Sequence, residues 1–363
     1  MHDSEDLSSF PNGNHPLDNV TASDIMRLGV VWSCAGILGL VVLGSLFTFF
    51  LGHNRVSLNE DIYQGFRYTN TAGSSDLETR EGWGLTTYGE NGMVVNKKLI
   101  ASSEKILFLG DSFVQARQVS DDQKFTELIE RSLNASNPDK NIQTLNFGFA
   151  GQDLRSYLNF SKRFDELYHP KLVVIVVNEK DFSPIAGDQD LAAKIERGED
   201  SILVKKKTYG RFESLANDLG VRAFGYRLRL QSRAFQGPPT KANAGSTKNE
   251  SKDDTAFKDS VHKQIDALKS IWGDRLVLVF LQSIPDFGKN EPEKFRSPII
   301  DAAADSTVPC LNLYPAFLEE YRKHQPTSGF SNSILGSGHL NQHGHTVFAQ
   351  EFIKFIQDIN AVF

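Results

Sequence analysis

KILFLGDSFVQ, residues 105–115, is the stretch on which the fold turns. Its first half, after Lys105, is the apolar run Ile106–Leu109, ended by Gly110-Asp111-Ser112. A short, nearly continuous apolar run reads as a strand buried on both faces, the kind found in parallel sheets. Glycine lets the chain turn sharply where the strand stops. Asp and Ser then open a helix, because their side-chain oxygens accept the unpaired N–H groups of its first turn. The stretch predicts strand, tight turn and helix start, with Ser112 at the carboxyl edge of a sheet.

Four further runs read the same way: IQTLN (142–146), LVVIVV (172–177), RLVLVFL (275–281) and VPCLNL (308–313). Helix-spaced segments separate them. FTELIERSLNAS follows the first run, LRSYLNFSKRFDELY follows the second, FKDSVHKQIDALKSIW precedes the fourth, and VFAQEFIKFIQDI closes the chain. Strands alternating with helices imply right-handed crossovers, so the expected fold class is α/β, a three-layer α/β/α sandwich on a five-stranded parallel sheet. Residues 183–256 interrupt the rhythm with a strand-like ILVKKK, a helix-like RFESLANDLGVRAFGYRLRLQSRAF and the low-complexity QGPPTKANAGSTKNESKDD. This reads as a flexible insertion, and its arginines at 222, 227, 229 and 233 as a solvated face or a contact for anionic headgroups.

Toward the N-terminus, residues 28–51 carry no charge. About 20 apolar residues suffice to cross a bilayer as a helix, so this run reads as one transmembrane anchor. A cleaved signal peptide fits less well, since the run exceeds the usual ~7–15 apolar residues and a polar, largely acidic leader precedes it. Arg27 and Arg55 flank the two ends, so charge alone does not orient the anchor. The expected organisation is a polar leader at 1–23, a membrane helix at 28–51, an irregular lead-in at 52–100 and the α/β domain at 101–363.

The net charge of −6 and the lack of a basic stripe exclude nucleic acid as the expected partner. The two cysteines, Cys34 and Cys310, form neither a disulfide framework nor a metal spacing.

The chemistry-bearing residues cluster at predicted strand exits. At the first, Ser112 is either a nucleophile or only a helix N-cap, and backbone N–H donors of a following helix would stand beside its hydroxyl. Asp111 can hold the turn. At the second, Gly148 and Gly151 bracket a loop whose backbone N–H could approach an oxyanion. At the third, Asn178 or Lys180 could donate to the same charge, with Asp181 beside them. Near the C-terminus, His339, His343 and His345 are candidates for the general base to Ser112. A metal is not expected there, because carboxylate or thiolate partners are missing from the segment.

Taken in order, GDSF (110–113), NFGFAG (146–151), KDF (180–182) and HLNQHGH (339–345) resemble the four blocks of the SGNH (GDSL-type) hydrolase superfamily. The resemblance spans roughly residues 85–363. It implies a flavodoxin-like sandwich that performs acyl-ester chemistry without a cofactor. Ser112 matches the nucleophile, His339 the base, and the N–H groups of Ser112 and Gly151 two oxyanion donors. The anchor and long lead-in look like membrane-tethered bacterial members that add or remove O-acetyl groups on envelope polysaccharides. Those members act outside the cytoplasm, which orients the anchor. The implied partners are a carbohydrate or acyl-ester substrate and, through residues 28–51, membrane lipid.

Two positions depart from the family pattern. Lys180 stands where the family has the oxyanion asparagine, which leaves that donor to Asn178 or Lys180. Gly336 and Ser337 stand where the family has an aspartate two or three residues before the histidine. The expectation from sequence is therefore a Ser112–His339 dyad without its orienting carboxylate. Its rival is a catalytically impaired relative serving as a binding or assembly factor in polysaccharide modification or export. A further rival is a cytoplasm-facing protein in which only the apolar run functions.

Overall fold

The computed structural model describes residues 21–51, 56–59, 67–78, 81–178, 181–182, 250–281, 293–333 and 335–359. They fall in two compact units. The first contains helix α1 (Ala22–Leu51), whose Ala22–Gly44 portion is long and apolar enough to span a membrane. Its large side chains, among them Leu28, Val31, Trp32 and Ile37, are exposed. The leader before residue 21, Lys180, the insertion up to residue 249 and its four arginines lie outside the described residues.

The second unit holds two short antiparallel pairs and one central sheet. β1 (Val56–Asn59) pairs with β2 (Arg67–Asn70), and β3 (Ser75–Leu77) pairs with β4 (Leu85–Thr87). The central strands are β5 (Glu104–Gly110), β6 (Ile142–Gly148), β7 (Leu172–Val177), β8 (Leu276–Phe280) and β9 (Cys310–Asn312). They are parallel throughout and lie in the order β6-β5-β7-β8-β9. The chain thus moves one way from β5 to β6 and the other way from β5 to β7. That reversal opens a crevice at the carboxyl ends of β5 and β7, where doubly wound sheets bind ligands.

Seven helices of this unit are described: α2 (Ser112–Gln115), α3 (Phe125–Ser136), α4 (Leu154–Tyr168), α5 (Glu250–Trp272), α6 (Glu293–Asp305), α7 (Tyr314–Arg322) and α8 (Gln342–Asp358). Strand residues alternate between two cores because successive side chains point to opposite faces. Leu107, Leu109, Val173 and Ile175 join Leu154, Phe164, Ile265 and Trp272 of α4 and α5 on one face. Ile106, Phe108, Val174 and Val176 join Phe125, Phe317, Phe348 and Phe352 of α3, α7 and α8 on the other. Each fully buried side chain of this size contributes about 1.5–3 kcal/mol. The three layers expected from the sequence are present.

The sequence reading placed α3 and α4 with these bounds and missed α6 and α7. Pro298 breaks the helical pattern inside α6, and α7 is short, with a proline in its first turn. The element after Ser112 also differs from expectation. α2 is a single turn, closed by Ala116 at a left-handed φ of 49°. A one-turn helix carries little macrodipole, so what stands beside the Ser112 hydroxyl is local N–H donors rather than a helix field.

Candidate active site

Ser112 is the first residue of α2, and the N-cap is Asp111, whose Oδ1 accepts the Phe113 N–H at 2.9 Å. The capping reading of Ser112 is therefore wrong: the aspartate caps, and the serine hydroxyl is available to another partner. That partner is His339, with Nε2 2.9 Å from Ser112 Oγ.

The carboxylate missing from the segment before His339 comes from elsewhere in the chain. Glu81 Oε2 lies 2.6 Å from His339 Nδ1, and Glu81 Oε1 accepts the His339 backbone N–H at 2.7 Å. The expectation of a dyad lacking its carboxylate is corrected to a Ser112–His339–Glu81 chain of contacts. A carboxylate at Nδ1 holds the proton there and leaves Nε2 as the acceptor for the serine hydroxyl.

Glu81 sits on the turn of the β3–β4 pair, inside the segment read as an irregular lead-in. Charged and polar contacts fasten this hairpin to the turn after α2. Arg117 pairs with Asp76 and lies 3.8 Å from Glu78. Asp121 Oδ2 accepts from the Thr87 backbone at 3.0 Å and from its hydroxyl at 2.6 Å. The fully buried Lys124 ammonium donates to Thr86 Oγ1, Ala116 O and Val119 O at 3.0, 2.6 and 2.8 Å. Burial pushes that ammonium down to about 8, against the pull of Asp121.

The other side of the hairpin tip meets the loop that carries His339. Gly82 N donates to Asn332 Oδ1 at 2.8 Å, and Asn332 Nδ2 returns a bond to Gly82 O at 3.0 Å. Gly338 has φ +86°, and a Cβ there would sit 2.1 Å from Glu81 Oε1. Glycine at 338 is a sequence trace of this junction, since only glycine combines that backbone with the room the carboxylate takes. His339 itself is held by a Gly329 N–H to His339 O bond of 3.0 Å. Two residues on, Asn341 caps α8 by accepting the Gly344 N–H at 2.9 Å.

No protein-family model matches this chain, and no curated protein matches it either. Solved structures do, at low similarity. The psychrotrophic esterase EstA from Pseudoalteromonas sp. shares 14% identity, with 72% of this chain and 100% of that one covered and a TM-score of 0.40. An acetyl xylan esterase, AlAXEase, shares 16% identity over 69% and 98%, with a TM-score of 0.39. A member of the lipolytic protein G-D-S-L family from Veillonella parvula shares 12% over 69% and 97%, with a TM-score of 0.37.

Of the remaining predicted residues, those described gather at the same sheet edge with separate tasks. Gly148 is needed for packing: a Cβ there would lie 2.2 Å from Gln115 N, so glycine lets α2 approach β6. Gly151 has φ +80° and open space around its Cα. Its loop is pinned by Phe149 N to Gly110 O at 3.0 Å and Ala150 N to Gln115 Oε1 at 3.3 Å. Asn178 follows β7, and its Nδ2 lies 3.4 Å from Asp111 Oδ2. Asp181 holds that turn by accepting the Asn178 N–H at 2.7 Å. Burial pushes the Asp111 carboxyl above its ordinary value, opposed by the Phe113 N–H and by His339 and Asn178.

The other two C-terminal histidines are accounted for. His343 pairs with Glu320 at 2.8 Å. His345 is buried, accepts the Phe125 N–H at 3.3 Å and is pushed down to about 3 by burial, so it stays neutral. Among the described residues no three or more His, Cys, Asp or Glu side chains converge as a metal site would require.

Proposed function

We propose that this protein is a serine acyl-ester hydrolase or O-acyltransferase of SGNH type that works through Ser112, His339 and Glu81. The observation that carries the proposal is the run of contacts from Ser112 Oγ to His339 Nε2 at 2.9 Å and from His339 Nδ1 to Glu81 at 2.6 Å. His339 takes the hydroxyl proton as Ser112 Oγ bonds to the ester carbonyl carbon. The resulting oxyanion is met by the N–H groups of Ser112 and Gly151 and by the Asn178 carboxamide, or by Lys180. Collapse breaks the bond to the leaving alcohol, which takes the proton from His339. Water, or an acceptor hydroxyl in a transferase, then repeats the two steps on the acyl-serine. Glu81 holds the imidazole in the required tautomer and stabilises its charged form.

The impaired-relative reading rested on the missing carboxylate and on Lys180 at the oxyanion position; the Glu81 contact speaks against the first ground, and Lys180 lies outside the described residues. The likeness of the anchor and long lead-in to membrane-tethered members that add or remove O-acetyl groups supports a carbohydrate O-acetyl ester as substrate. The apolar α1 supports single-pass anchoring in the cell membrane, with the resemblance placing the domain outside the cytoplasm. A serine-directed fluorophosphonate probe tests the chemistry: wild type should label and Ser112→Ala should not. Absent labelling of wild type, or equal labelling of both, overturns the proposal. Protease access to the domain in intact cells reads its orientation.

A further inference from the structure

Two of the most exposed large apolar side chains of the α/β unit, among the described residues, are Trp83 and Leu335, each 64% exposed. Both lie on the two segments that assemble the His339–Glu81 pair. Trp83 is two residues after Glu81 on the hairpin tip, and Leu335 is four before His339. The exposure of Trp83 is not that of a loose loop. The glycines on either side of it are wedged: a Cβ at Gly82 would lie 2.2 Å from Gln118 O, and one at Gly84 2.3 Å from Arg117 O. Gly82 is further bonded on both its backbone groups by Asn332. A rigid backbone therefore presents an indole that the protein leaves in water rather than buries.

The proposed reaction says which part of a substrate lies on this side. His339 must hand its proton to the leaving alcohol, so the alcohol oxygen comes within hydrogen-bond reach of Nε2. The oxyanion donors stand instead at Ser112 itself and on the turns after β6 and β7. The alcohol portion thus extends past His339 toward the hairpin tip and the 328–340 loop. Two residues span at most ~7 Å, so the Trp83 backbone lies within about that distance of Glu81, which touches His339 directly.

We infer that Trp83 is a stacking platform for a pyranose ring that carries the ester, an inference that rests on the proposed acyl-ester chemistry. A pyranose presents an apolar C–H face to a flat ring and hydroxyls around its rim. The loop facing the tip supplies polar groups for such a rim, with Ser331 and Ser333 exposed and Ser337 half-buried. An exposed indole on a tip bonded to a serine-bearing loop suits a sugar better than an alkyl alcohol, which gains most from enclosure on all sides.

The test compares kcat/KM on an O-acetylated methyl pyranoside, ethyl acetate and octyl acetate for wild type, Trp83→Ala and Trp83→Phe. The pyranoside-to-ethyl preference should fall about tenfold or more in Trp83→Ala, mainly through KM, and recover in large part in Trp83→Phe. An unchanged preference overturns the platform, as does a loss confined to octyl acetate, which would mean an alkyl alcohol occupies it. A second readout needs no turnover. A β-1,4-linked tetrasaccharide without acetyl groups should alter the tryptophan emission of wild type and not that of Trp83→Ala; no change in wild type overturns the platform. Failure of fluorophosphonate labelling together with a sugar-dependent emission change would sink the enzyme and keep the sugar site.

Discussion

Glu81→Gln isolates the carboxylate that the sequence pattern hid. The substitution keeps size and shape and removes one charge. With charges 2.6 Å apart, Coulomb energy is about 2 kcal/mol at the dielectric of water and about 6 kcal/mol at an effective dielectric near 20. The side chains of His339 and Glu81 are 27% and 21% exposed, which places the pair between those limits. That range corresponds to roughly 10-fold to 10⁴-fold in rate. Hydrogen-bond geometry pushes the result upward. The glutamine carbonyl will accept the His339 backbone N–H, as Oε1 does at 2.7 Å. Its NH₂ group then faces Nδ1, donates to it, and selects the tautomer protonated on Nε2, which cannot accept the serine proton. Turning the amide over sets two donors against each other at the backbone N–H. The analogous change in a protease triad costs ~10⁴-fold. We expect kcat on a small activated ester to fall ~10³-fold, with thermal unfolding close to wild type. Glu81→Asp, one methylene shorter, should recover part of that loss. Activity of Glu81→Gln within about threefold of wild type, in folded protein, would refute the reasoning.

Gly338→Ala should move the same carboxylate from the opposite side, because its Cβ would stand 2.1 Å from Glu81 Oε1 at a φ of +86°. Activity should drop at least ~10-fold and stability by about 1–3 kcal/mol; unchanged kcat would show that the carboxylate needs no fixed seat. His345 should make the fold acid-sensitive. Its folded value is held down to about 3 by burial, below the ordinary histidine value of 6.5, so in that window the unfolded chain binds more protons. The associated stability is present above pH 6.5 and is lost as pH falls toward 3, up to about 5 kcal/mol. His345→Gln, whose carbonyl can still accept the Phe125 N–H, should flatten the decline in urea midpoint between pH 6.5 and 4; an equally steep decline assigns the acid sensitivity elsewhere.

The hairpin contacts give the β3–β4 pair a role in the site beyond its small size. Asp76 and Glu78 are nearly fully buried against Arg117, and Lys124 is wholly buried beneath Thr86. Removing one partner from such a cluster leaves an uncompensated buried charge, typically a loss of ~3–5 kcal/mol. Glu81 is thus seated by the turn that follows Ser112, and nucleophile and carboxylate share one support.

The sequence alone determined the sheet and the position of Ser112. Five apolar runs and the helical spacing between them are local signals, since burial on both strand faces writes itself into consecutive residues. GDSF and HLNQHGH carried Ser112 and His339 for the same reason, each lying in a short block at a strand exit or before a helix. Tertiary structure alone decided two things. It gave the N-cap to Asp111, which freed the Ser112 hydroxyl. It brought Glu81 to His339 across 258 residues of chain. No spacing rule reaches that far: a carboxylate orients an imidazole through 2.6 Å of space, and the sequence records such a meeting only where a neighbour must give way, here at Gly338.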